Sequence, residues 1–338
     1  MILQYDKTAL SKALSNAGGR ILDGRAVADA LLDQLRPLVH QFKVRQIQPA
    51  LTVVQVGDDK ASSLYIRHKM KACERVGIRS QHHVLYSDTT YLQLIERLEQ
   101  INRDPMVHGV LLQLPLPEQM DGTEAMQHID PRKDVDGFHP ANLGCLMARE
   151  SLLEPCTPRG ILTLLQAADI KVQGLEAVVV GRSVIVGRPM AMMLARANAT
   201  VTLCHRHTRD LEAAVRRADL LVVATGVAGL IKGNWIKDGA VVIDVGINRE
   251  NGSLCGDVEF ESAKEHASWI TPVPGGLGPM TVATLMENTL RATCIQENHV
   301  VRGGRVVTTE DAGVHFETVD GVGFTHLRRG TPAHRSLH

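Results

Sequence analysis

Within ASSLYIRHKMKACERVG, residues 61–77, the residues Ser62, Tyr65 and Lys69 follow one another at spacings of three and four, so a helix carries all three on one face. The face offers a ring that can stack and an amine that can move a proton. A lysine serves as a base near neutral pH only where burial or a neighbouring cation favours its neutral form, as on a helix lining a cleft. Taken alone, the pattern also fits a solvated face shared with Arg67 and Lys71. Two further fragments weigh against that reading. VLLQLPLP (110–117) ends a buried strand at Gln113, and KDVDGF (133–138) sets Asp136 in a turn. An amide and a carboxylate so placed can read the donor and acceptor edge of a flat heterocycle, although Gln113 could equally satisfy loop backbone and Asp136 could cap the turn with Gly137. In TPVPGGLGPMT (271–281) prolines stiffen a loop whose glycines permit close approach. A loop built to hug a ligand meets both constraints, which makes Pro274, Gly275 and Gly276 candidate substrate contacts.

A second chemistry lies in AVVVGRSVIVGRPM (177–190), read as a buried strand, a glycine turn and a helix start. Backbone amides and the helix dipole there favour an anionic pyrophosphate. Gly181, Arg182 and Ser183 are the candidate contacts, and the next strand says which nucleotide. In a Rossmann arrangement an acid at the end of the second strand binds a ribose 2′-hydroxyl, whereas an arginine accommodates a 2′-phosphate. TVTLCHRHT ends in His205, Arg206 and His207 with no acid. Arg182 and Arg206 could converge on one phosphate, which points to NADP. No carboxylate or third histidine stands beside His205 and His207, so no metal is expected. Ile247 in DVGIN (244–248) could pack on the nicotinamide or its ribose.

These residues need scaffolds. Strand patterns at 50–56, 108–114, 177–181, 200–204, 219–226 and 240–246 alternate with helical segments, the signature of α/β folds with parallel sheets. A proline-punctuated stretch between 115 and 160 marks a domain boundary. The division expected is a leader at 1–19, a catalytic domain at 20–155, a Rossmann-like domain at 156–280, a helix at 281–296 returning to the first domain, and a tail at 297–338. Rich in Gly, Arg, His and Thr, that tail reads as disordered, because its apolar pairs bury too little to offset ordering.

Lysine plus arginine total 37 and aspartate plus glutamate total 37, so no electrostatic footprint for nucleic acid or an anionic membrane is expected. The six cysteines form no C-x-x-C pair, which fits reduced thiols in the cytoplasm. No apolar run is long enough to span a membrane, and the leader lacks the apolar core of a secretory signal.

With Y-x-x-x-K, QLPLP, KDVDGF, PCTPRG, GRSVIVGRP, DVGIN and PVPGG-x-GPMT in this order, the chain closely resembles the bifunctional methylenetetrahydrofolate dehydrogenase/cyclohydrolase family over about residues 20–296. Leu277 stands where that family usually has valine. The short-chain dehydrogenases also carry Y-x-x-x-K, but their glycine turn precedes the pair, and here it follows. The resemblance implies two α/β domains around a cleft where NADP and tetrahydrofolate derivatives meet. Lys69 is then the main catalytic group, with Tyr65 stacking on the aminobenzoyl ring, Gln113 holding Lys69 and Asp136 gripping the pterin. Ser62, Pro274, Gly275 and Gly276 line the folate side, while Gly181, Arg182, Ser183, Arg206 and Ile247 bind NADP. Also implied are oxidation of 5,10-methylenetetrahydrofolate, hydrolysis of the methenyl product to 10-formyltetrahydrofolate for purine biosynthesis, and a homodimer through the second domain. A dehydrogenase-only enzyme remains open to the sequence. A non-catalytic folate or nucleotide sensor would be expected to have lost Lys69 or Tyr65. A tail acting as a nucleic-acid arm is diluted by its own acids.

Overall fold

The computed structural model describes residues 3, 6–15, 20–148, 153–250, 252–319 and 324–329. In chain order the helices are α1 (Lys7–Ser15), α2 (Gly24–Val44), α3 (Lys60–Val76), α4 (Tyr91–Arg103), α5 (Gly122–Met126), α6 (Pro140–Ala148), α7 (Cys156–Ala167), α8 (Gly187–Arg196), α9 (Leu211–Arg216), α10 (Phe260–His266) and α11 (Leu277–Gln296). The strands are β1 (Ala50–Val56), β2 (Arg79–Leu85), β3 (Gly109–Leu112), β4 (Glu176–Val180), β5 (Thr200–Cys204), β6 (Leu220–Val223), β7 (Val241–Asp244), β8 (Asn248–Glu250), β9 (Ser253–Cys255), β10 (Trp269–Ile270), β11 (His299–Arg302), β12 (Arg305–Thr308), β13 (Val314–Val319) and β14 (Phe324–Arg329). The chain divides into two compact units, one holding residues 35–153 and 287 onward, the other residues 6–34 and 154–286.

In the first unit β1 lies between β2 and β3, both parallel to it. Every residue of β1 and β3 is buried, so the apolar runs ALTVVQV and GVLL are legible as strands from sequence alone. By contrast β2, RSQHHVL, is an edge strand with no fully buried residue, and its polar sequence carries no strand signal. Helix α3 starts at Asp59, whose carboxylate accepts from the Ser62 amide, and stops at Gly77 in a left-handed conformation. Residues 287–296 of α11 belong to this unit, where Asn288 Nδ2 donates to the Val135 carbonyl at 2.8 Å and Gln296 Nε2 to that of His108 at 2.7 Å.

The second unit is built on a five-stranded sheet in the order β10-β7-β6-β4-β5, every pair parallel. Its first strand, β4, runs between β5 and β6, so the strand order reverses there. That reversal is the topological switch point where open α/β sheets bind ligands beyond the carboxyl ends of their strands. Residues 20–34 pack with this unit. Leu22 donates to the Ile270 carbonyl and Ile270 to that of Arg20, both at 2.9 Å, which docks the segment beside β10. The Arg25 amide then donates to the Gly275 carbonyl at 3.0 Å, and a Cβ at Gly24 would overlap the carbonyl of Gly276. The start of α2 thus holds the proline-glycine loop. Helix α1, within the leader, buries Leu10 and Leu14 and reaches the Ala167 carbonyl through Ser11 Oγ.

The expected disorder after residue 297 is not what the described residues show. β11 pairs antiparallel with β12 across Gly303 and Gly304, both at positive φ, and β13 pairs with β14. Val300, Val301 and Val306 are buried, and Gln41 on α2 clasps the first hairpin, donating to the Gly304 carbonyl at 2.9 Å and accepting from the Val306 amide at 2.8 Å. HVVRGGRVVT is in fact a hairpin signature, apolar pairs flanking a Gly-Gly turn. Composition hid it because the apolar surface that covers these valines comes from elsewhere in the chain. Residues 320–323 and 330–338 of the expected tail lie outside the described residues.

Candidate active-site residues in the two units

In the first unit the α3 face forms as its spacing requires. Ser62 is buried, Lys69 half-buried and Tyr65 exposed to 39% of its surface, as a ring must be to stack on a ligand. Lys69 Nζ donates to Gln113 Oε1 at 3.0 Å, while Gln113 Nε2 donates to the Leu114 carbonyl at 2.6 Å. The second bond decides which end of the amide faces the lysine, leaving the oxygen as the only end that can accept from the amine. Ser62 Oγ reaches the same Leu114 carbonyl at 3.4 Å, so helix and strand end share one acceptor.

The turn carrying Asp136 owes its shape to its neighbours. Lys133 is buried and donates to the Asp104 carbonyl at 2.7 Å, with burial holding its pKa below the usual lysine value. The Asp134 carboxylate accepts from the amides of Gly137 and His139 at 3.1 and 2.7 Å and from Asn142 Nδ2 at 2.9 Å. Burial pushes its pKa up. Asp136 itself is half-buried. In KDVDGF the first two charges shape the turn, and the third keeps part of its surface in solvent.

In the second unit Gly181 ends β4 at φ +114°, and a Cβ there would overlap the Ala224 carbonyl beyond β6. Only glycine fits, on conformation and on space. Part of the expected phosphate cradle is used internally, because the amides of Val186 and Gly187 donate to Ser183 Oγ at 3.2 and 3.3 Å. Ser183 Oγ thus closes the turn ahead of α8, and Arg182, Ser183 and Ile185 are the exposed residues of that turn.

Beyond β5 the turn is closed by bonds between His205 and Thr208, and the His207 amide donates to His205 Nδ1 at 3.2 Å. Arg206 is exposed, its Nε donating to His207 Nε2 at 3.1 Å. With no acid in this turn, the donor set suits a 2′-phosphate and would repel nothing on it. Among the described residues no group of three or more His, Cys, Asp or Glu is arranged to hold a metal ion, and no helix is long and apolar enough to cross a membrane. Ile247 is 48% exposed on the turn after β7, and Pro274, Gly275 and Gly276 precede α11.

Two residues escaped the sequence reading. Asp244, at the end of β7, accepts from the amides of Gly246, Asp257 and Val258 at 2.9, 3.0 and 2.9 Å. Asp257, fully buried, accepts from Thr225, Gly226 and Asn248. Asp244 opens DVGIN, but the remaining partners of both carboxylates lie on separate loops, which no local spacing records.

The catalytic-domain model of the tetrahydrofolate dehydrogenase/cyclohydrolase family matches residues 22–136, and its NAD(P)-binding-domain model matches residues 155–297. The bifunctional protein FolD of Xanthomonas euvesicatoria is 53% identical over 292 residues, covering 85% of this chain and 96% of its own. A crystal structure of the bifunctional FolD dehydrogenase/cyclohydrolase from Campylobacter jejuni is similar with a TM-score of 0.80 and 44% identity, covering 82% of this chain and 99% of its own. The Trypanosoma brucei enzyme, described as complexed with NADP cofactor and inhibitor, gives a TM-score of 0.78 and 38% identity over 81% of this chain and 97% of its own.

Proposed function

Because the chain belongs to the tetrahydrofolate dehydrogenase/cyclohydrolase family, we propose that it oxidises 5,10-methylenetetrahydrofolate with NADP and hydrolyses the methenyl product to 10-formyltetrahydrofolate. The observation that carries the assignment of roles is the Lys69–Gln113 hydrogen bond, which fixes an amine beside a strand end in the catalytic-domain half of the chain. When bound, NADP supplies the hydride acceptor. For that step the protein's work is alignment.

Tyr65 stacks on the aminobenzoyl ring, Asp136 binds the pterin edge, and Ser62, Pro274, Gly275 and Gly276 contact the folate. Gly181, Arg182 and Ser183 receive the pyrophosphate, Arg206 the 2′-phosphate, and Ile247 the nicotinamide side. In the hydrolysis, water adds to the methenyl carbon and the carbon–nitrogen bond to N5 breaks. Both protons of the water are lost, one ending on N5 and one released to solvent, so a single group that can take and return a proton suffices. Lys69 is that group. Gln113 Oε1 accepts one amine hydrogen and so turns the nitrogen lone pair or remaining hydrogens toward the substrate.

We also assign the enzyme to the cytoplasm, which free cysteines support, and its product to purine biosynthesis. Pairing through the second unit would give a homodimer. The edge position of β5, with Leu203 37% exposed, supports that surface. Sedimentation at several concentrations checks the assembly. For the reaction, purified protein given methylenetetrahydrofolate and NADP should form NADPH, and given methenyltetrahydrofolate without NADP should form the 10-formyl product. NADPH formation without the second reaction would leave a dehydrogenase only.

A further inference from the structure

We infer that Asp257 is a positioning residue for the NADP site, holding the turn after β6 against the turn after β7 from which Ile247 projects. This rests on the cofactor assignment above. Asp257 touches neither substrate nor cofactor in that assignment and acts through its neighbours.

Its carboxylate is completely buried and spends both oxygens on those two turns. Oδ2 accepts from the Thr225 amide at 2.6 Å, the Thr225 hydroxyl at 2.8 Å and the Gly226 amide at 2.9 Å. Oδ1 accepts from Asn248 Nδ2 at 2.8 Å. Thr225 directly follows Ala224, whose carbonyl abuts Gly181, and Asn248 directly follows Ile247. One carboxylate therefore ties together the turns after β6 and β7, beside the switch point at β4. A second carboxylate fixes the first, because Asp244 accepts the amides of Asp257 and Val258 together with that of Gly246. The Asp244 amide in turn donates to Thr271 Oγ1 at 2.7 Å, at the start of the proline-glycine loop.

Burying a carboxylate costs free energy unless its oxygens are satisfied, and a well-packed apolar pair could fill such space at least as stably. Here the satisfying groups are N–H and O–H donors on loops at the carboxyl ends of strands, where ligands bind. That placement suits a device that pre-orders loops for a ligand.

Asp257→Asn keeps the size of the side chain and replaces one acceptor by a donor, which cannot satisfy both the Thr225–Gly226 amides and the Asn248 amide. Calorimetric titration of the full-length protein with NADP should show a dissociation constant raised about tenfold or more. The KM for NADP should rise in parallel, while NADP-free hydrolysis of methenyltetrahydrofolate stays within about twofold of wild type. Thr225→Val, which removes one donor and leaves the backbone, provides the same readout if the first variant does not fold, with a rise of about threefold expected. An unchanged NADP dissociation constant in the folded variant overturns the inference. So does a loss of NADP-free hydrolysis as large as the loss of NADP binding, since that marks general damage. Wild-type protein that binds NADP but reduces none would refute the assigned reaction and leave the test of Asp257 intact.

Discussion

Lys69 Nζ and Gln113 Oε1 stand 3.0 Å apart, joining the middle of α3 to the end of β3. Because the other end of the amide is committed to the Leu114 carbonyl, Gln113 can serve Lys69 only as an acceptor. Lys69→Met keeps much of the side-chain volume and removes the proton carrier. Hydrolysis of methenyltetrahydrofolate should fall by roughly 10²–10⁴-fold, with folate binding retained in equilibrium titration. Hydrolysis near the wild-type rate would remove Lys69 from the mechanism.

Arg206→Asp places a negative charge where a 2′-phosphate is assigned. The KM for NADP should rise by about tenfold or more and that for NAD by far less. Steady-state kinetics with both cofactors decide it, and equal changes would mean that the arginine does not meet the phosphate.

Asp244 gives a pH dependence of known sign. Burial, above all, with the Asp257 charge adding to it, pushes its pKa up to about 6 against the three amides that favour the anion. A carboxyl whose folded-state pKa is raised stabilises the fold below its unfolded value and loses that contribution as pH climbs through the folded value. About two pKa units correspond to roughly 3 kcal/mol. The stability of wild type relative to Asp244→Asn should therefore fall by up to about that amount between about pH 4 and about pH 7. Urea midpoints of both proteins across this range measure it. A rise with pH in the stability of wild type relative to the variant would contradict the assignment.

Val301 is fully buried on β11. Val301→Asp should cost about 2–4 kcal/mol, because a charge would replace a packed methyl pair, and thermal melting would show the loss. An unchanged melting temperature would return residues 299–308 to the disorder that their composition suggests.

The sequence by itself determined what is written in contiguous residues. Apolar runs gave β1 and β4 with little error, since strands buried on both faces carry uninterrupted hydrophobicity. The i, i+3 and i+4 spacing put Ser62, Tyr65 and Lys69 on one face because helical geometry leaves no choice. The glycine turn, the acid-free strand end and the proline-glycine loop were legible for the same reason, each being a local conformational demand. The tertiary structure decided whatever depends on partners distant in the chain. Edge strand β2 is polar and becomes a strand only by pairing with β1. Residues 20–34 join the second unit through backbone bonds to Ile270 and Gly275, which no side-chain pattern records. The first tail hairpin is ordered by Gln41 and buried valines, and Asp257 gains its role from two turns that it meets only after folding. Backbone hydrogen bonding and burial are properties of the assembled neighbourhood, so a single stretch of sequence cannot state them in advance.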